Sequence, residues 1–298
     1  MGGVKRQGPR SVLRFGLLGP PVLYDADADA RVAYDAAGTG VHAVRSPKVR
    51  ILLAALLLEA GRVVSVESLE DALWGAAPPP SARASLHNHV SRLRRLLDDP
   101  ERLRAAAPGY LLRVEPGELD VHVFEAHVAA ARSAHTAGKP AGTVRACTAA
   151  LALWRGTPLS GLPSELGGYA LVQRLEEARL LLLEWRYDAE LAVGGTRLGG
   201  LVPELAALAA EHPLREAYHR QLMLALHRTG RRAEALAVHR DLRTRLIEEL
   251  GVEPGPTVRE AHVEVLRGGA ADPSGAVAPP DDGDAPAAPE AGRAAPPR

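Results

Sequence analysis

The chain has 298 residues, room for about two domains of roughly 100–200 residues each. Its 36 basic and 36 acidic residues cancel, which argues against a wholesale nucleic-acid binder and excludes a polyanionic disordered chain. A single cysteine excludes a disulfide scaffold and a cysteine-cluster zinc site within one chain. The 4% aromatic share, against 46% hydrophobic residues dominated by Ala, Leu and Val, points to helices rather than a β-sandwich.

Residues 1–11 read as disordered. No apolar stretch with a small-residue cleavage site follows, and no apolar run approaches a membrane span, so a cytoplasmic protein is expected. Leu13 to Leu18 and Val22 to Tyr24 are apolar runs broken by Gly19-Pro20-Pro21, and read as two small strands. Asp25 to Gly40 reads as a long surface loop or loose hairpin. Ser46-Pro47 starts a helix, with Ser as cap and Pro at the first position; Leu52, Leu53, Leu56 and Leu57 form its buried stripe until Gly61. Val63-Val64 is a short extended link. Ser65 caps a second helix through Trp74, and Gly75 to Pro80 is a turn.

A third helix runs from about Ser81 to about Leu97. At 100° per residue, Leu86, Val90, Leu93 and Leu97 share the core face. Ala84, Asn88, Ser91, Arg92 and Arg95 lie opposite, with Ser85, His87 and Arg94 on the flanks. The outer face offers small residues for close approach, an amide and guanidinium forks. Asn pairs bidentately with adenine, and Arg with guanine or phosphate. A stripe of arginines is by itself as well explained by a solvated helix face. Here, however, Arg102-Leu103-Arg104, Pro108-Gly109 and Tyr110 to Val114 follow as a hairpin, or wing, with Arg at its edge. Net charge is the wrong scale for this chain: residues 81–113 carry seven Arg against Asp98, Asp99 and Glu101.

The remainder reads as paired helices. Asp120 opens one that ends near Gly138, and Pro140 opens the next, through Trp154. Arg155 to Leu162 is a loop. Further helices are expected at Tyr169 to Val193, Leu198 to Glu211, Leu214 to Thr229, Arg231 to Leu250 and Thr257 to Leu266. Gly195 and Gly230 are 35 residues apart, close to the tetratricopeptide period. Residues 268–298, rich in Pro, Ala, Gly and acidic side chains, cannot bury enough apolar surface to order themselves. Catalytic and metal patterns are missing: no HExxH, no GxSxG, no phosphate loop, and Gly38-Thr39-Gly40 lacks a third glycine. His87 and His89 point in different directions. Cys147 and the three tryptophans read as core, and Glu176-Glu177 and Glu248-Glu249 as solvated helix faces.

The segments FGLLGP (15–20), SPKVRILLAALLL (46–58), ESLEDALWGAAPPPSARASLHNHVSRLRRLL (67–97) and PGYLL (108–112) resemble the winged helix of SARP-type antibiotic regulatory proteins. That domain is itself similar to the effector domain of OmpR/PhoB-type response regulators. DVHVFE, ALALWRGTPLSGL, RLEEARLLLLEWRYDAELAVG and EELGVEPGP are similar to the bacterial transcriptional activation domain that follows it in the family. The resemblance implies a mainly α fold: a winged helix-turn-helix domain with small β elements over 12–116, then an all-α, tetratricopeptide-like domain over 120–267. It implies a pathway-specific activator of antibiotic biosynthesis, with no enzymatic activity and no cofactor. Side-by-side dimers would bind direct repeats in double-stranded promoter DNA and recruit RNA polymerase holoenzyme. Arg83, Ser85, Asn88, Ser91, Arg92, Arg94, Arg95, Lys48, Arg102 and Arg104 are the expected DNA-contacting residues. The competing reading is a helical-repeat adaptor, or a repressor, that carries a winged helix. An adaptor has no need of Arg and Asn free of acidic neighbours on the outer face of the third helix.

Overall fold

The structure, a computed structural model, describes residues 14–24, 41–163, 166–195 and 197–268. The expectations for residues 1–11, for Asp25 to Gly40 and for the tail beyond Gly268 fall outside the described residues.

Strand β1 (Phe15–Gly16) turns at Gly19-Pro20-Pro21 into β2 (Val22–Tyr24), and β3 (Val41–Ala43) completes an antiparallel sheet of order β1-β2-β3. β3 is not among the expected strands, since three residues centred on a histidine offer no alternation to read. Helix α1 (Pro47–Leu58) has Pro at its first position, although the Ser46 hydroxyl makes no cap bond. Val49 and Ile51 to Leu57 are all buried, so this helix is apolar around most of its circumference and forms the centre of the N-terminal core rather than one wall of it.

Val63–Ser65 is a strand, β4, rather than a bare link, because β6 (Gly109–Leu112) returns to pair with it; β5 (Leu103–Ala106) pairs with the other edge of β6. A Cβ at Gly109 would lie 1.8 Å from the Val64 carbonyl oxygen, so only glycine lets the hairpin close onto β4. Ser65 caps α2 (Val66–Trp74), accepting from the Ser68 N–H at 3.0 Å.

Helix α3 (Ala82–Arg94) has 13 residues and is about 20 Å long. It stops three residues short of the expected end at Leu97. There the chain tightens into i→i+3 bonds, Leu96 N to Leu93 O and Leu97 N to Arg94 O, and Leu97 still reaches the core.

The remaining helices follow the expected order closely: α4 (Asp120–Thr136), α5 (Pro140–Leu151), α6 (Tyr169–Val193), α7 (Leu198–Glu211), α8 (Glu216–Arg228), α9 (Arg232–Leu250) and α10 (Pro256–Arg267). Cys147 is buried in α5. Trp154 and Trp185 pack against the core only partly buried, their outer faces covered by Arg179 and by Arg132 with His135. Trp74 is likewise partly buried. Glu177 is not simply solvated: it takes the Arg215 guanidinium in two bonds of 2.9 and 3.1 Å, and Glu184 holds the same Arg215.

Apolar packing is continuous from Phe15 in the N-terminal sheet through α4 and α5 to Leu182. A second core begins at Tyr187 and runs to Val265. Helix α6, 25 residues and about 37 Å long, serves both: Leu175 and Leu182 in the first, Tyr187 and Leu191 in the second. The winged half is thus packed directly onto the first helices of the helical half.

The polar part of that junction is built around Asp120, which has no exposed surface. Its carboxylate accepts the Leu17 N–H at 2.8 Å, the Leu18 N–H at 3.0 Å and Arg155 Nη2 at 3.3 Å. Arg155 Nη1 donates to the Pro20 carbonyl at 2.9 Å, and the backbone N–H groups of Arg155 and Leu159 bond Leu18 O and Leu17 O. Burial pushes the Asp120 carboxyl pKa up, against the pull of the Leu17 and Leu18 N–H groups and Arg155.

Burial also holds the pKa of His89, His127, His219 and His239 below the ordinary histidine value. Each is depressed in the folded state, so the unfolded chain takes up these protons first. Their contribution is whole above about pH 6.5, the unfolded value, and is lost as pH falls below it through their lower folded values. The Tm in a thermal scan is expected to fall between pH 7.5 and 5.5; a rise over that interval contradicts the assignment.

Candidate nucleic-acid interface

Helix α3 packs Leu86, Val90 and Leu93 inward against α1 and α2. Its outer face exposes Arg83, Ala84, His87, Asn88, Ser91, Arg92 and Arg95, with Ser85 half-buried at the flank. The helix contains no acidic residue. Among the described residues no carboxylate pairs with Arg83 or Arg92, and Arg95 makes only a long 3.4 Å bond back to the Ser91 carbonyl. Burial first, then Arg92 and Lys48, lower the His89 pKa, which leaves that imidazole neutral beside the cations.

The other expected contacts divide by what already holds them. Arg94 is half-buried, and its Nε donates to the Leu103 carbonyl at 2.9 Å. It therefore ties the first strand of the wing to α3. Lys48 donates to the Leu73 carbonyl at the end of α2 and lies 5.7 Å from the Trp74 ring centroid. That satisfies a last-turn carbonyl and draws the ammonium away from the open face. Arg104 is exposed on the wing, with only its Nε engaged, at 3.0 Å to Glu101 O.

Arg102 is a correction. It is only 8% exposed, and both its Nη atoms donate to the Glu118 carboxylate at 2.7 Å. Its Nε lies 2.8 Å from Asp98. A guanidinium buried between two carboxylates has its charge met and almost no exposed surface to offer a phosphate. Arg102→Ala is expected to cost roughly 2 kcal/mol in urea unfolding, the scale of a lost charge-assisted bond. It should leave the salt dependence of DNA affinity unchanged; a flatter salt slope in the variant would return Arg102 to the interface.

Arg45 is a residue the sequence reading omits. With Arg92 and Arg95 it lines a cleft of about 840 Å³ between β3, the start of α1 and the C-terminal end of α3. The available signal was its position one residue before a helix N-cap, where a cation opposes the helix dipole.

Among the described residues no three His, Cys, Asp or Glu side chains are grouped to hold a metal ion. No described helix is long and apolar enough to cross a membrane.

Comparison with known proteins agrees with this two-part architecture. Residues 119–266 match the family described as bacterial transcriptional activator domain, and residues 42–112 the family described as transcriptional regulatory protein, C terminal. The chain is 43% identical over 266 residues to the regulatory protein AfsR of Streptomyces coelicolor, covering 88% of this chain but only 25% of AfsR. It is 38% identical over 240 residues to the regulatory protein DnrI of Streptomyces peucetius, covering 77% of this chain and 87% of DnrI. Among solved structures, Mycobacterium tuberculosis EmbR, in complex with a low-affinity phosphopeptide, matches 86% of this chain and 65% of its own, at 36% identity and a TM-score of 0.69.

Proposed function

The chain belongs to the SARP-type family of transcriptional regulators, which are not enzymes; on that premise we propose that it is a sequence-specific DNA-binding activator of a secondary-metabolite pathway, acting in the cytoplasm. The observation that carries the reading is the outer face of α3. Asn88, Ser91, Arg92 and Arg95 stand exposed there with no acidic residue on the helix. Amide and guanidinium forks at these positions suit base edges in a major groove, which admits an α-helix. Arg83 and the wing residue Arg104 would take backbone phosphates on either side, since phosphate contacts set register while base contacts set sequence.

The helical half would recruit RNA polymerase holoenzyme, and two copies would bind direct repeats side by side. The continuous core and the Asp120 junction support this division of labour. They fix the first helices of the helical half relative to α3, so a chain seated on DNA presents them in one orientation.

The test is a mobility-shift titration of the full chain on promoter DNA at several salt concentrations. Affinity is expected to fall steeply with salt, because phosphate contacts release counterions. Arg95→Ala should weaken promoter binding with helix content unchanged. Wild-type affinity in Arg95→Ala, or binding indifferent to salt, would overturn the assignment of α3.

A further inference from the structure

We propose that the cleft between β3, the start of α1 and the end of α3 is a second phosphate-backbone anchor, with Arg45 as its principal cation. The inference rests on the DNA-binding reading above and extends it to a face that the winged-helix motifs did not mark.

Three guanidinium-bearing residues, Arg45, Arg92 and Arg95, converge on this one cleft, from two elements far apart in sequence. Arg45 is exposed, and no carboxylate pairs with it among the described residues. Arg92 and Arg95 share this lack of a carboxylate partner, whereas arginines outside the cleft are neutralised: Arg14 pairs with Asp98, Arg102 with Glu118 and Asp98, Arg113 with Asp99, and Arg155 with Asp120. Leu23, Ala43, Val44, Val49 and Leu96 form the apolar walls. Cations in a cleft with low-dielectric walls hold an anion more firmly than the same charges on an open surface.

The position of Arg45 is also unfavourable by itself. It precedes the Ser46 N-cap, so its charge faces the positive end of α1. An anion placed between them reverses that penalty, because it meets the arginine and the first-turn N–H groups together. Pro at the first position removes one of those donors, and the Ser46 hydroxyl caps none of the others. The ligand chemistry is a phosphodiester. The strand that borders the groove read by α3 supplies one next to Arg92 and Arg95, on the side of α3 away from the wing strands held by Arg94.

A phosphate contact carries no base information, so it can be told apart from readout by Asn88. The experiment is fluorescence anisotropy of the full chain with promoter DNA and with scrambled DNA of the same length, from 50 to 300 mM KCl. Arg45→Ala is expected to weaken both duplexes by the same factor, roughly tenfold at low salt. It should lower the slope of log affinity against log salt by about one. Arg45→Lys should restore the slope. Unchanged affinity and slope in Arg45→Ala, with wild-type binding intact, overturns the anchor alone. Loss for the promoter only would make Arg45 a base reader and also overturns it. No binding of wild type to either duplex removes the DNA-binding reading itself.

Discussion

Asp120→Ala is expected to destabilise the folded chain by about 3–5 kcal/mol, the cost of breaking a buried charge pair from one side. The substitution removes the acceptor of the Leu17 and Leu18 N–H groups and the counter-charge of Arg155 in one step. None of these donors has a ready alternative. The Leu17 and Leu18 backbone is buried, and Arg155 is committed on its other side to the Pro20 carbonyl. Gly16 shows how tightly the guanidinium is seated, since a Cβ there would lie 2.4 Å from Arg155 Nη2. Asp120→Asn keeps one acceptor oxygen and should lose less. Urea unfolding of the three proteins measures both values; a loss below about 1 kcal/mol in the alanine variant would mean that the junction does not depend on this carboxylate. The consequence reaches function, because this junction is where the winged half meets the helical half.

The second large effect is expected on DNA. Asn88 and Arg92 lie one turn apart on the exposed face of α3, close enough to address neighbouring base pairs. Each bidentate base contact is worth about 1–3 kcal/mol of discrimination, so the double substitution to alanine should remove about 2–6 kcal/mol. That is a large part of the roughly 4–10 kcal/mol that separates specific from non-specific binding. Affinity for the promoter should therefore approach that for scrambled DNA, while scrambled-DNA affinity changes far less. Both side chains point away from the core, so the Tm should hold. Equal losses on the two duplexes would show that these residues contact only phosphates.

Most of the helical architecture is legible in the residues, for local reasons. Tyr169–Val193 and Leu198–Glu211 end where Gly194 and His212-Pro213 stop them, and periodicity fills the rest. The inner and outer faces of α3 follow directly from its spacing. What is not legible depends on partners distant in the chain. Val63-Val64 becomes a strand only because β6 comes back to it. Asp120 looks like a favourable acid in the first turn of a helix, yet its carboxylate serves backbone a hundred residues upstream. Arg102 and Arg92 are the same residue type in one basic stretch. Only the return of Glu118, 16 residues further on, makes one of them part of the interior. Arg45 is the converse case, a cation whose lack of a carboxylate partner is visible only once its surroundings are in place.

On this reading α3 seats the chain on promoter DNA in the orientation that lets the helical half engage polymerase. Footprinting of the full chain on the promoters near its own gene, with and without RNA polymerase holoenzyme, tests it most directly. Protection is expected at evenly spaced direct repeats, extended when polymerase is added and abolished by Asn88→Ala with Arg92→Ala. Protection that survives the double substitution, or that polymerase leaves unchanged, would contradict it.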